Sequence, residues 1–139
     1  MSSQEDIFHE LFYYTTSHPS PSFIHQHVVD AFAAQTADED TKPIKITFAL
    51  LGLYLFLEKD FTGRQVQLTH MKIAKVKDNV DWPKIIYPED KGSITISDVL
   101  QSTPGEERDL MIKKWCLSVW EAYSDSHLQI VDFLNKYFF

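Results

Sequence analysis

The sequence predicts an all-α domain, and three features of the chain support that prediction. Apolar residues recur at the helical period of 3.6 in several long segments, prolines and small polar residues separate these segments, and glycine is scarce, with 4 in 139 residues. A hydrophobic fraction of 44% and an aromatic fraction of 14% are typical of a packed core. We therefore expect one domain over residues 1–139, an up-and-down bundle of about five or six helices with one long irregular loop.

The first two helices are predicted on either side of a proline-containing break. Apolar spacing indicates an amphipathic helix over about residues 4–16. The prolines that follow end this helix, and Pro21 is placed to begin a second helix that extends to about Thr36.

A third helix, predicted over about residues 43–59, is apolar nearly all round, which marks it as the central helix. Gly52 in its interior costs about 1 kcal/mol relative to alanine, so we expect another helix to cross closely there. A fourth helix is predicted over about residues 63–77, with Thr62 as its cap.

The C-terminal half is predicted to open with the irregular segment, residues 78–96, which Trp82 anchors to the core. A brief helix over residues 98–101 follows. A capping box at Thr103–Glu106 then opens a long helical region, and the chain finishes as a further helix or a continuation over residues 127–137.

Charge and cysteine content narrow the classes of function. A net charge of −7 disfavours nucleic acid and anionic membranes as partners, because phosphates would be repelled. The apolar run Phe48–Leu57 has about half the length that a membrane-spanning helix needs.

The single cysteine, Cys116, lies in an apolar helical stretch, where we expect a buried, inert thiol. One thiol and no secretory leader favour a cytoplasmic location.

The histidines allow two interpretations. His25 and His70 fall on the core-facing sides of two predicted helices, where they could meet. With His127 nearby, they could hold a divalent metal, since imidazole suits Zn, Ni, Mn or Fe. The alternative is that they are core histidines, each hydrogen-bonded to a buried polar partner such as Gln35 or Gln67.

Two charged residues complete the candidate site. On a helical wheel Asp30 lies opposite the main apolar stripe, so we expect it to be exposed or paired with Arg64 or a lysine. The alternative places Asp30 against another helix, where it would orient a histidine. Arg64, at a helix start, could bind an anion, or it could form a salt bridge to Glu58, Asp60 or Asp30.

The segment His25–Gln35, HQHVVDAFAAQ, resembles the H-x-x-x-V-D-A-[YF]-A-x-Q signature of a bacterial family of unknown function. The similarity continues through Phe48–Leu55, Gly63–Gln67 and Trp115–Ala122. The resemblance implies relatedness to that family and brings no activity, cofactor or catalytic residue with it.

Two functional hypotheses follow. In the first, the protein is a small helical domain that acts by binding a protein or a small ligand, without an assigned reaction. In the second, it is a metal-dependent enzyme similar in architecture to the DinB-like hydrolase and transferase bundles, an analogy at the level of fold alone. The aromatic terminus at residues 137–139 must either dock on its own domain or form a contact in a homodimer.

Overall fold

A computed structural model describes residues 4–17 and 24–138. Within these ranges the chain forms seven α-helices and a 3₁₀ turn at residues 124–126, and it contains no strand. The helices are α1 (Gln4–Ser17), α2 (His25–Thr36), α3 (Pro43–Lys59), α4 (Gly63–Lys75), α5 (Ile96–Gln101), α6 (Glu106–Ala122) and α7 (His127–Tyr137). The prediction of an all-α fold is confirmed, and the count exceeds the expected six because the 3₁₀ turn separates α6 from α7.

Helix α3 is the centre of the bundle, as its apolar sequence predicts. Pro43 begins it, since proline is tolerated where the backbone N–H would have no helical partner. Nearly every side chain from Ile46 to Leu55 is buried. Helix α2 packs along it, and α4 and α6 each contact both α2 and α3. The interior between α2, α3, α4 and α6 is therefore a contiguous part of the core.

Local capping confirms one boundary and corrects two. Thr62 and Gln65 form a reciprocal capping box at the start of α4, as the cap at Thr62 predicts. Helix α5 begins at Ile96 rather than at residue 98, because Thr95 is its N-cap. The side chain of Thr95 accepts a hydrogen bond from the backbone N–H of Asp98.

The capping box predicted at Thr103–Glu106 is wrong. Helix α6 starts at Glu106, and its N-cap residue is Gly105, which has a φ of 106°. Among the described residues, no side chain forms a capping hydrogen bond at this N-cap. The backbone carbonyl of Thr103, rather than its side chain, contacts the helix: it accepts a hydrogen bond from the backbone N–H of Arg108, at 3.0 Å. The predicted start of α2 at Pro21 lies outside the described residues.

The irregular segment between α4 and α5 is held against the helices by aromatic and polar contacts. The ring of Trp82 stacks on Phe133 of α7, with centroids 5.6 Å apart, which confirms that Trp82 anchors this segment. The hydroxyl of Tyr137 accepts a hydrogen bond from the backbone N–H of Asp81, at 2.9 Å. The chain end therefore docks on its own domain through Tyr137, while Phe139 lies outside the described residues. Association between copies stays a prediction.

None of the helices in the described ranges combines the length and the apolar character that are needed to cross a bilayer.

Candidate functional site

Two ionisable side chains of α2 are buried in the bundle interior. His27 is 2% exposed and Asp30 is 3% exposed. They lie one helical turn apart, on the side of α2 that the helical wheel assigns to solvent. The expectation that Asp30 is exposed or paired with a cation is therefore wrong. Helix α2 is surrounded by α1, α3, α4 and α6, so it is buried on both sides, and small residues such as Ala31 and Ala34 permit that close packing.

Asp30 is an acid in an apolar setting. Its Oδ1 accepts a hydrogen bond from Gln26 Nε2 at 3.2 Å, whereas its buried Oδ2 finds no hydrogen-bond partner in the described part of the chain. Burial raises the pKa of Asp30 well above its ordinary value, and the bond from Gln26 opposes that rise only in part. Asp30 therefore keeps its proton to a higher pH than an exposed aspartate does.

Gly52 of α3 makes room for the carboxyl group of Asp30. A Cβ atom built on Gly52 would lie 2.6 Å from Asp30 Cγ, closer still to Asp30 Oδ2, and 3.2 Å from Val66 Cγ1 of α4. The predicted close helix crossing at Gly52 is confirmed, and the group that crosses there is the side chain of Asp30.

Cys116 of α6 borders the same interior. Its Sγ donates a hydrogen bond to the backbone carbonyl of His27, at 3.6 Å. Burial and the nearby Asp30 raise the pKa of the Cys116 thiol far above its ordinary value. The prediction that Cys116 is buried is confirmed.

His25 and His70, the two histidines expected to meet, have different partners. The hydroxyl of Thr15 donates to the carbonyl of Phe12, so His25 Nδ1–H donates to Thr15 Oγ1, at 2.7 Å. His70 Nε2–H donates to the backbone carbonyl of Phe48, at 2.9 Å, and its ring stacks on the Phe48 ring. Burial lowers the pKa of both histidines, that of His70 to about 4. Both are neutral groups tied to α1 and α3 respectively.

His127, the third predicted metal ligand, is bound within the C-terminal helices. Its Nε2–H donates to the carbonyl of Trp120 at 2.7 Å, and its ring stacks on the Trp120 indole with centroids 3.7 Å apart. In residues 4–17 and 24–138, no group of three or more histidine, cysteine, aspartate or glutamate side chains is placed to hold a metal ion. The structure thus does not assemble His25, His70 and His127 into a metal centre. Each ring is hydrogen-bonded to a different hydroxyl or backbone carbonyl group instead.

Gln35 links α2 to the irregular segment and to α6. Its Nε2 donates to the carbonyls of Ile94 at 2.8 Å and Lys91 at 3.3 Å, and its Oε1 accepts from the indole Nε1–H of Trp115 at 2.8 Å. Both N–H groups and the oxygen of the amide are thus bonded to other parts of the protein, and none of these partners is a histidine.

Arg64 lies exposed at the first turn of α4. Its guanidinium donates to Gln67 Oε1 at 3.1 Å, one turn along the same helix. Asp30 Oδ1 is bonded to Gln26 and its Oδ2 has no partner among the described residues, so the expected pair between Arg64 and Asp30 does not form. Binding of an anion at this helix start stays a prediction.

The imidazole of His27 forms one wall of a pocket. The pocket has a volume of about 190 Å³ and is lined by Ile24, His27, Phe56, Asp60, Phe61 and Thr62. The His27 ring stacks on the Phe56 ring, with centroids 3.6 Å apart and planes inclined by 9°. Among the described residues, its Nδ1 is buried without a hydrogen-bond partner. Burial lowers the pKa of His27 to about 4, so the imidazole is neutral at neutral pH.

The far side of the pocket is the turn between α3 and α4. Asp60 adopts the left-handed conformation, with φ 56° and ψ 30°, and the backbone N–H of Phe61 donates to the carbonyl of Leu55 at 2.9 Å. The capping box at Thr62 then starts α4 directly. Hydrogen bonds on both sides of Phe61 therefore fix the backbone of this turn, which includes Asp60, an exposed residue that lines the pocket.

Sequence reasoning does not find this pocket, because His27 falls on the wheel face assigned to solvent. The available signal is the alanine content of α2 and its C-cap, with Ala31, Ala33 and Ala34 in the helix and Ala37 at the cap, which indicates close packing on several sides. The contact between His27 and Phe56 joins residues far apart in the sequence, and no local spacing indicates it.

The fold and this interior define an all-α domain with a polar cluster enclosed by α2, α3, α4 and α6. The chain belongs to DUF5946, a family of unknown function, whose model matches residues 5–124. The predicted membership of a family of unknown function is confirmed, and the matched span contains the segment His25–Gln35 that carries the resemblance. No curated protein and no solved structure matches the chain.

Proposed function

We propose that this domain binds a small molecule in the pocket between His27 and the α3–α4 turn. The observation that carries the proposal is the imidazole of His27, which is 2% exposed, forms a pocket wall and has a ring nitrogen without a hydrogen-bond partner in the described ranges. Buried polar groups in folded proteins are hydrogen-bonded in most cases, so a polar group that is left unpaired beside a pocket is a candidate ligand contact.

The volume and the lining of the pocket suit a small, compact molecule. Its volume of about 190 Å³ is below the roughly 300 Å³ at which common ligand sites begin. Phe56 and Phe61 provide aromatic surface, Ile24 provides aliphatic surface, and His27 and Thr62 provide hydrogen-bonding groups. A compact apolar body with one or two polar atoms matches this lining.

A wider groove between the irregular segment and α6 fits a ligand less well. It has a volume of about 560 Å³ and includes Ser93, Ile94, Lys114, Leu117 and Ser118. The hydroxyl of Ser118 accepts hydrogen bonds from the backbone N–H groups of Ser93 and Ile94, at 2.9 and 3.3 Å. The serine in this groove is therefore already used to hold the loop.

The test is a titration of ¹⁵N-labelled protein with benzyl alcohol, observed through amide chemical shifts. The expected result is saturable shifts at the amides of residues 27, 56 and 60–62, with residues 90–94 and 117–122 unchanged as an internal control. Saturable shifts confined to the wider groove, or no saturable shifts, would overturn the proposal.

The compartment is part of the same proposal. A buried cysteine without a second cysteine in the sequence suits a reducing environment, and the cytoplasm is the compartment that provides one.

A further inference from the structure

We propose that the pocket selects an apolar molecule that carries a protonated amine, with the carboxylate of Asp60 as the anion that receives the ammonium group. This inference rests on the proposed function and names the chemical class of ligand. The observations that carry it are the charge at the pocket, the conformation of the α3–α4 turn and the aromatic rings that line the site.

Asp60 is the one charged side chain that lines the pocket within the described ranges. The neighbouring Lys59 is turned elsewhere, with its Nζ 6.0 Å from the centroid of the Tyr54 ring. The imidazole of His27 is neutral at neutral pH, so it adds no positive charge. The one formal charge among the described lining residues is therefore negative, as is the net charge of −7 of the whole chain.

The position of Asp60 is fixed by the backbone rather than by its side-chain contacts. Its left-handed conformation ends α3, and aspartate tolerates that conformation better than most residues do. Because the turn is held by the bond from Phe61 N–H to the Leu55 carbonyl, the backbone of Asp60 at the pocket is in place before a ligand arrives.

The aromatic lining also favours a cation. Because the His27 ring stacks on Phe56, the ring left to face a ligand is that of Phe61, and cations within about 6 Å of an aromatic face are attracted to its negative partial charge. The Phe56 ring already has a cation at that distance, since Lys113 Nζ lies 5.9 Å from its centroid. Lys113 is an exposed side chain of α6 and does not line the pocket, so solvent and salt screen its repulsion of a bound amine.

The test compares benzylamine, benzyl alcohol and benzoate, three molecules with the same ring and different charge. Binding is measured through the amide shifts of residues 60–62 in the parent protein and in two variants, Asp60→Asn and Asp78→Asn. Asparagine also adopts the left-handed conformation, so Asp60→Asn removes the charge and keeps the turn. Asp78 is an exposed aspartate outside this pocket, so Asp78→Asn controls for the loss of one negative charge.

The expected result is that benzylamine binds about three- to ten-fold more tightly than benzyl alcohol, and that benzoate binds most weakly. The preference for the amine should disappear in Asp60→Asn, persist in Asp78→Asn, and shrink when the salt concentration rises.

Two outcomes would overturn the inference and leave the pocket in place: benzyl alcohol binding as tightly as benzylamine, or an amine preference that survives in Asp60→Asn. Failure of all three molecules to shift these amides would overturn the proposed function as well.

Discussion

The carboxyl group of Asp30 occupies the space that a side chain at position 52 would need. Asp30 comes from α2 and Gly52 from α3, and a Cβ atom on Gly52 would lie 2.6 Å from Asp30 Cγ. Glycine in the interior of a helix is unfavourable by about 1 kcal/mol relative to alanine, so this position accepts a local cost to admit a buried acid.

Replacement of Gly52 by alanine should destabilise the protein although alanine is the better helix former. The added methyl group would force Asp30 or the helix backbone to move, and overpacking of this kind costs about 2 kcal/mol or more. The measurement is the free energy of unfolding from urea titrations. The double variant Gly52→Ala/Asp30→Ala should recover much of the loss, because it removes the group with which the methyl group collides. Additive losses in the double variant would contradict the packing described here.

Asp30→Asn should change how stability depends on pH. The native pKa of Asp30 is raised, so between its ordinary value of 3.8 and its native pKa the folded state holds a proton that the unfolded state has lost. The free energy of unfolding contributed by Asp30 is therefore fully present below the ordinary pKa and falls as pH rises toward the native one. Asparagine cannot ionise, so the stability of Asp30→Asn relative to the parent should increase with pH.

The measurement is the urea midpoint of both proteins at a series of values between about pH 5 and pH 9. The difference between them isolates Asp30, because the histidines are present in both. A difference that is constant with pH would show that Asp30 titrates as an exposed aspartate does.

The buried histidines predict acid sensitivity with the opposite sign. Burial lowers the pKa of His27 from 6.5 to about 4, so its contribution to stability is present above 6.5 and is lost as pH falls toward 4. A shift of this size corresponds to roughly 3 kcal/mol. His27→Leu should therefore unfold at lower pH than the parent, as followed by circular dichroism. His9→Gln, at an exposed position on α1, is the control, and equal acid midpoints for His27→Leu and the parent would contradict the prediction.

Much of the fold follows from local sequence signals, and the reason is visible in α3 and α4. The bounds of α3 agree with the prediction because a proline begins the helix and an acidic turn precedes it. The start of α4 agrees because Thr62 and Gln65 carry their capping signal within four residues. Helix ends that depend on nearby residues can be predicted from nearby residues.

The interior could not be predicted in the same way, because it depends on which helices surround α2. A helical wheel assigns one apolar side to a helix, whereas α2 is enclosed by four others. The pattern therefore predicts an exposed or paired Asp30, whereas Asp30 is buried in the structure, as is His27 one turn before it. The expected meeting of His25 and His70 fails for the same reason, since each binds a backbone or hydroxyl group on a helix that the pattern does not place beside it.

His27 and His70 have similar surroundings, and comparing them distinguishes a candidate ligand contact from a structural side chain. His27 stacks on Phe56 and His70 stacks on Phe48, and the pKa of each is lowered to about 4 by burial. They differ in that His70 is bonded to the Phe48 carbonyl, whereas His27 lines the pocket with an unpaired Nδ1 in the described part of the chain.

The central claim, that His27 contacts the ligand, is therefore tested most directly by the affinity for benzyl alcohol of two variants, His27→Leu and His70→Leu. Affinity is measured through the amide shifts of residues 60–62, and circular dichroism verifies that each variant is folded. The account predicts that binding is lost, or weakened about ten-fold, in His27→Leu and kept in His70→Leu, since one hydrogen bond is worth about 1 kcal/mol or more. Equal affinity in the two variants would contradict it, and His27 would then be a core side chain like His70.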